Sequence, residues 1–423
     1  MTEDILNFGF QESKSSIIKV IGIGGGGCNA VNHMFGEGIE GVDFLICNTD
    51  AQALRNSPVP IKIQLGVTLT EGRGAGNLPL QGEQAAIENL DDIRSVLEGT
   101  TKMLFITAGL GGGTGTGAAP VIAELARELD ILTIAVVTIP SPAEGKRRFQ
   151  QALEGVEKLK KQVDSLLVIS NEKLHKIYGD LPASHAFKKA DNILGTAVKG
   201  VAEIITLHGN INIDYADVHT VMAGSEVFIM GTGISEGDGR AMDAVMKALE
   251  SPLLDSNDIK GTKDILLNIT SGDEEIRMGE IGDIIEFLQE KAGQDANIIW
   301  GNSLDKRLEN KVSVTLIATR FDKNPNSLLQ EKKPKEEVLF EEQAIDINLE
   351  DEEEDFAKIF ENEMQKQPQK AETIKRTTNS RKQKAKSRRE LVSEQTQESG
   401  TTDSWFQRQF NRFFEDQDEE IEN

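Results

Sequence analysis

Residues 109–117 read Gly-Leu-Gly-Gly-Gly-Thr-Gly-Thr-Gly, and the fold reading starts from that run. An apolar stretch, Met103–Thr107, precedes it, and a helix-like segment, Ala118–Leu129, follows it. Pro120 is expected in the first turn of that helix, where its missing N–H costs nothing. A strand that ends in glycines and passes into a helix is a phosphate-binding geometry. Glycine lets the backbone approach closely, and the helix start supplies free N–H donors and a positive dipole end. The Thr114 and Thr116 hydroxyls can add further donors. A flexible linker is a poor alternative, because apolar strand and helix flank the run tightly.

A second glycine run lies upstream. The strand-like Ile17–Ile23 ends in Gly22-Ile23-Gly24-Gly25-Gly26-Gly27-Cys28-Asn29. These residues satisfy G-x-G-x-x-G, and Asp50 stands at the end of the next strand. Taken alone, this run fits a Rossmann dehydrogenase as well as a nucleoside-phosphate site. A dehydrogenase needs one such loop, so the pair shifts the balance toward two backbone cradles on one sheet edge. Nothing matches G-x-x-x-x-G-K-[ST], which argues against an ordinary P-loop.

Working outward, strand-like runs at Val42–Cys47, Ile131–Ile139 and Leu166–Ile169 alternate with helical segments. That alternation predicts an α/β, Rossmann-like parallel sheet covered by helices. A long helical pattern, about His185–Leu207, connects it to a second block of α+β character running from about Asp214 to Phe321. Its strand candidates are Val227–Met230, Asp264–Ile269, Asn297–Trp300 and Val312–Thr319, with helices at Arg240–Leu249 and Ile281–Lys291. The expected organisation is a flexible segment at 1–15, a nucleotide-binding domain at 16–184, a connecting helix at 185–211 and an α+β domain at 212–322. A disordered charged linker at 323–403 follows, because its acidic and then basic blocks cannot bury enough apolar area to offset ordering entropy. A peptide at 404–423 regains aromatics.

The net charge of −24 argues against general nucleic-acid binding, which needs clustered Lys and Arg on phosphates. Cys28 and Cys47 are the two cysteines, too few for a disulfide framework or zinc spacing, which fits a reducing cytosol. The acidic start, Met1–Lys14, has no apolar core of a secretory signal, and no run reaches the ~20 apolar residues of a membrane span. His175, His185 and His219 are not in a metal-ligand pattern.

Asn212-x-Asp214-x-x-Asp217 puts two acids three apart at an expected helix start, pointing to one side. N-capping with a favourable dipole explains that as well as chemistry does.

At Gly111–Gly117, GGGTGTG, the chain resembles the tubulin superfamily in its FtsZ form. The resemblance spans Ile17–Phe321 and includes GGGGCNAV at Gly24–Val31, NTDAQAL at Asn48–Leu54 and GRGAGNLP at Gly72–Pro79. EGKRR at Glu144–Arg148, NIDYADV at Asn212–Val218 and SPLL at Ser251–Leu254 complete it. It implies a GTP-binding, GTP-hydrolysing protein that polymerises head to tail into the cytoplasmic midcell division ring.

The same resemblance implies roles residue by residue. Gly25, Gly26, Gly27, Cys28 and Asn29 would meet the α- and β-phosphates through backbone amides. Gly112, Gly113, Thr114, Gly115, Thr116 and Gly117 form the signature loop over the same phosphates. Ala75 and Gly76 would sense the γ-phosphate, and Glu144 and Arg148 the ribose. Asp191 would accept guanine N1–H and N2–H₂, Phe187, one turn earlier, would stack on the base, and Asn171 would contact its edge. Asn212, Asp214 and Asp217 would form the loop that completes the site of the adjacent subunit. There the acids would polarise water and help hold Mg²⁺, itself carried mainly by GTP phosphates and water. The C-terminal peptide, Trp405–Phe414 and the acids after it, matches the family's partner-binding tail weakly; an FtsA-like membrane anchor is the expected partner.

Overall fold

The computed structural model describes residues 16–322, apart from 40, 207–208 and 252–257 and the side chains of 183, 184, 186 and 187. The expected linker and tail, and most of SPLL at Ser251–Leu254, lie outside the described residues.

The chain opens with β1 (Ile18–Ile23), α1 (Gly24–Glu37), β2 (Val42–Asn48), α2 (Ala51–Arg55), β3 (Ile61–Gln64) and α3 (Val67–Thr70). It continues through α4 (Pro79–Glu88), α5 (Leu90–Leu97), β4 (Met103–Gly109), α6 (Thr114–Glu128), β5 (Leu132–Ile139), α7 (Lys146–Lys160) and β6 (Ser165–Ser170). The six strands pair parallel in the order β3-β2-β1-β4-β5-β6. β1, β4 and β6 are buried along nearly their whole length, as sheets covered on both faces require. One face packs against α4, α6 and α7 through Ala85, Ala118, Ile122, Val156 and Leu159. The other packs against α1 through Val31 and Met34.

Next come α8 (Asn171–Tyr178) and the 24-residue α9 (Ala183–Thr206), ~36 Å long at 1.5 Å per residue. Ile193, Leu194, Ala197, Val198 and Val201 of α9 join the core that α1 covers. That core continues into Phe228, Met230, Leu266 and Ile317 of the second block, so α9 serves both halves.

The second block holds α10 (Tyr215–Met222), β7 (Glu226–Glu236), α11 (Arg240–Leu249), β8 (Asp264–Ser271), α12 (Met278–Ala292), β9 (Asn297–Leu304) and β10 (Lys311–Thr319). Its strand order is β7-β10-β8-β9, with β10 antiparallel to both neighbours and β8 parallel to β9. β7 meets β6 at only Ser165↔Glu226 and Leu166↔Val227, a narrow join between two sheets. α11 and α12 cover the outer face.

Candidate functional site

The order β3-β2-β1-β4 reverses direction between β1 and β4, and a crevice opens at the C-terminal ends of strands where such a reversal occurs. Both glycine runs exit there, side by side, because Ile23 pairs with Ala108 across the two strands. The first run is not a loop leading to a helix, and in the second only residues 110–113 form one. α1 begins at Gly24 and α6 at Thr114, so Gly24–Gly27 and Thr114–Gly117 are themselves the first turns. Their unpaired N–H groups are the free donors of a helix start. Pro120 accordingly falls in the second turn of α6 rather than the first, since the helix starts four residues earlier than expected.

Gly24 has φ +71°, and a Cβ there would lie 2.9 Å from the Gly115 nitrogen, so the two runs interlock through bare backbone. Gly112 differs: a Cβ there would meet nothing within 4 Å. Packing within the chain does not require glycine at that position; space kept for a ligand would.

Not every expected donor faces that space. Thr116 is 3% exposed, and its hydroxyl accepts from the Gly111 N–H at 2.8 Å, shaping the loop from within. Thr114 shares a 2.7 Å hydrogen bond with Thr49. Cys28 turns its thiol into the core, donating weakly toward the carbonyls of Gly22 and Cys47 at 3.7 and 3.6 Å. Burial pushes that thiol up to about 12, so only the backbone of Cys28 can serve an anion. Gly27, Gly113, Gly115, Gly117 and Ala75 are also buried, whereas Gly25, Gly26, Asn29 and Gly76 are exposed at the mouth. The Gly72 segment seats on the signature run, for a Cβ on Gly113 would come within 2.8 Å of the Ala75 Cβ.

A cavity of about 340 Å³ gathers Gly26, Asn29, Gly112, Glu144, Arg148, Asn171 and Asp191 in one place. Glu144 accepts from the Ser141 N–H at 2.9 Å and from Asn171 Nδ2 at 3.1 Å. That leaves Asn171 Oδ1 buried without a donor, an acceptor waiting for a ligand N–H. Asp191 has its carboxyl pushed up to about 6 by burial, with the charge of His33 pulling the other way. Phe187 lies on α9, one turn before Asp191, but its side chain is outside the described residues. Asn77, Thr138 and Pro140 also line the cavity, and the sequence reading missed them. Asn77 carried a signal, an Asn after Gly76 able to take φ +64°. Thr138 and Pro140, at the end of an ordinary strand, carried none.

The acids form a separate centre. The Asp217 N–H donates to Asp214 Oδ1 and the Asp214 N–H to Asp217 Oδ2, both at 3.0 Å, a capping box at the start of α10. The capping explanation thus holds, and it uses one oxygen of each carboxylate. The Asn212 side chain accepts from the Gly209 N–H at 2.6 Å and shapes the approach to this turn. Tyr215 Oη donates to the Lys102 carbonyl at 3.0 Å, which pins the turn to the N-terminal end of β4. Among the described residues no group of three His, Cys, Asp or Glu side chains is placed to hold a metal ion.

Comparison with known proteins agrees with this geometry. Residues 17–179 match the Tubulin/FtsZ family GTPase domain. Residues 227–322 match the FtsZ family C-terminal domain. The chain is 48% identical over 324 residues to the cell division protein FtsZ of Porphyromonas gingivalis, covering 76% of this chain and 71% of that one. An empty FtsZ dimer structure from M. jannaschii superposes with TM-score 0.67 at 44% identity, over 73% of this chain and 89% of that one. CetZ2 of Haloferax volcanii, a GTPγS-bound protofilament structure, shares the fold alone at 19% identity, with TM-score 0.59 over 72% of this chain and 94% of that one. The fold and paired glycine runs are those of a tubulin-like GTPase. More narrowly, the chain belongs to the FtsZ family of cell-division GTPases.

Proposed function

We propose that the chain binds GTP in the crevice above β1 and β4, hydrolyses it when the acid turn of a second copy closes the site, and thereby polymerises head to tail. The observation that carries this reading is the placement of the two centres at opposite edges of one sheet. Tyr215 ties the acid turn to Lys102, just before β4, and the other end of β4 feeds the signature run. Seven residues at about 3.3 Å each separate the edges by ~20 Å. No carboxylate spans that distance, so Asp214 and Asp217 can serve only the phosphates of another copy. A contact between unlike faces does not close on itself and propagates as a filament. Exposed apolar side chains support such a contact: Leu69, Leu78 and Leu80 beside the Gly72 segment, and Ile211 beside the acids.

In this reading the first-turn N–H groups of α1 and α6 cradle the phosphates. Asp191 and Asn171 accept from the guanine edge, and Glu144 accepts from ribose while Arg148 stands across the cavity. The carboxylate oxygens of Asp214 and Asp217 left over from the capping box orient the attacking water. Mg²⁺ fits this arrangement only as a guest of the phosphates, helped by Asp214 or Asp217 of the adjacent subunit, and when bound it would offset phosphate charge. The filament would form the cytoplasmic division ring, with the aromatic residues Trp405–Phe414 docking on an FtsA-like membrane anchor; that tail lies outside the described residues.

The test is GTP hydrolysis per subunit as a function of protein concentration, with light scattering recorded alongside. Specific activity should rise above a threshold together with scattering. Constant specific activity down to high dilution would reject the shared site.

A further inference from the structure

The chain enters the acid turn along the outer edge of β9, the last strand in the order β7-β10-β8-β9. Ile211 and Asn302 form an isolated antiparallel bridge there. The Asn302 N–H donates to the Ile211 carbonyl at 3.0 Å. A second bond comes from the side chain, whose Oδ1 accepts from the Ile211 N–H at 2.9 Å. Asn is a poor strand residue. At this place its amide supplies an acceptor that no aliphatic side chain could.

The approach is close because both sides are bare backbone. A Cβ on Gly209 would lie 1.7 Å from the Asn302 carbonyl oxygen. One on Gly301 would lie 2.9 Å from the Ile211 carbonyl oxygen and 2.8 Å from Ile213 Cγ1. Ile213 is buried while Ile211 is exposed, the alternation of an extended segment lying on a strand edge. Asn210 adds a bond from its Nδ2 to Glu275 Oε1, and Arg240 holds that segment by donating to the Glu275 carbonyl at 3.1 Å.

The turn is therefore fixed at two points. Tyr215 ties it to the residue before β4, and Asn302 ties it to β9, three residues ahead of Asp214. The capping box between Asp214 and Asp217 is internal to the turn. It sets how the two acids lie relative to each other, but not where the pair stands. The two ties set that.

We propose that Asn302 is a positioning residue for GTP hydrolysis: by clasping Ile211 it fixes the stance from which Asp214 and Asp217 reach the phosphates of the neighbouring subunit. This rests on the reading of those acids as the pair that serves the adjacent site. Asn302 touches no substrate, so its effect falls on turnover in the assembled protein. Nucleotide binding, at the far edge of the first sheet, does not depend on it.

The test uses the full chain with Asn302→Ala, which removes the acceptor, and Asn302→Asp, which keeps an oxygen for the Ile211 N–H, each alone and combined with Asp214→Asn. Binding of a fluorescent GDP analogue is measured on dilute protein, and turnover at saturating GTP above the assembly threshold. Asn302→Ala should lose turnover roughly five- to tenfold, the size expected when one lost hydrogen bond misplaces a reacting group, while its GDP affinity stays within about twofold of the parent. Asn302→Asp should restore most of the turnover. In the Asp214→Asn background, Asn302→Ala should cost little more, because residues that act as a unit are not additive. An equal fold loss in both backgrounds would overturn the proposal, as would parallel loss of GDP affinity and turnover, or an Asp variant no better than Ala. If Asn302→Ala does not fold, Gly209→Ala presses on the same clasp from its other side and must show the same split between binding and turnover. If Asp214→Asn alone turned over like the parent, the catalytic reading of the acids would fall, a result separable from failure at Asn302.

Discussion

Replacing Asp214 separates the capping job that the structure shows from the catalytic job proposed for it. Its Oδ1 caps α10 by accepting from the Asp217 N–H at 3.0 Å, and its remaining oxygen is the one proposed to orient water in the next subunit's site. Asp214→Ala removes both. Loss of an N-cap of this kind costs about 0.5–2 kcal/mol. For a folded unit of this size each kcal/mol lowers the melting temperature by roughly 2–4 °C. Asp214→Asn keeps a side-chain oxygen at the cap, and Asn caps as well as Asp, so its stability should stay within a few tenths of a kcal/mol of the parent. Turnover should fall in both variants, by roughly 10²-fold or more if the carboxylate acts on the attacking water. Thermal melting, GTP binding and steady-state GTPase activity, measured on parent, Ala and Asn proteins above the assembly threshold, read the two effects apart. GTP binding should survive in both variants, because the phosphate runs are at the far edge of the sheet. The reasoning fails if the Asn variant turns over like the parent. It also fails if turnover loss follows melting temperature across the pair.

Asp191→Asn should weaken GTP binding about tenfold or more, in line with a loss of roughly 1.5–3 kcal/mol for a charged acceptor, while xanthosine triphosphate loses less; equal losses in a competition assay would reject the base assignment. The same change should raise the melting temperature of the nucleotide-free protein at neutral pH. A carboxyl lifted from 3.8 to about 6 binds its proton more tightly when folded, so stability falls as pH rises through that window, and Asn abolishes the slope. Gly112→Ala should leave stability nearly unchanged but weaken nucleotide binding, whereas Gly27→Ala, whose Cβ would lie 2.2 Å from the Thr107 carbonyl oxygen, should destabilise the fold; similar melting curves for the two would contradict the packing account. Truncation before Lys323 should preserve GTPase activity and scattering, and a labelled Ser404–Asn423 peptide should bind a division partner more tightly than anionic liposomes; the reverse order would reassign the tail.

The parallel sheet was legible because its strands are long apolar runs punctuated by glycine, and long α9 because its periodicity outlasts any strand. β3 was not, since Ile61–Gln64 is four residues long and follows Pro58 and Pro60, which read as loop. The start of α6 was placed too late, because a glycine-rich run carries no helical preference of its own. Tertiary packing against the neighbouring run coils it regardless. At the site, spacing located the glycine runs and the acid pair, but not what each atom does. Thr116 and Cys28 belong to the right turns and face the core, an orientation that depends on which helical turn they occupy. The cavity walls at Thr138 and Pro140 come from the end of β5 and the residue after it, a strand adjacent to β4 in space and distant in sequence.

The interlock of Gly24 with Gly115 has a consequence for the order of events during synthesis. The two runs are about ninety residues apart, and neither is a cradle without the other. A growing chain on the ribosome therefore cannot use nucleotide to stabilise its first strand and helix. Those elements must wait until β4 and α6 have emerged and docked, a closure of long range that slows folding. Asp191 and the base pocket arrive later still, with α9. Nucleotide can thus reward only a nearly finished N-terminal half, and the early nascent chain has to survive on the apolar packing of β1, α1 and β2 alone.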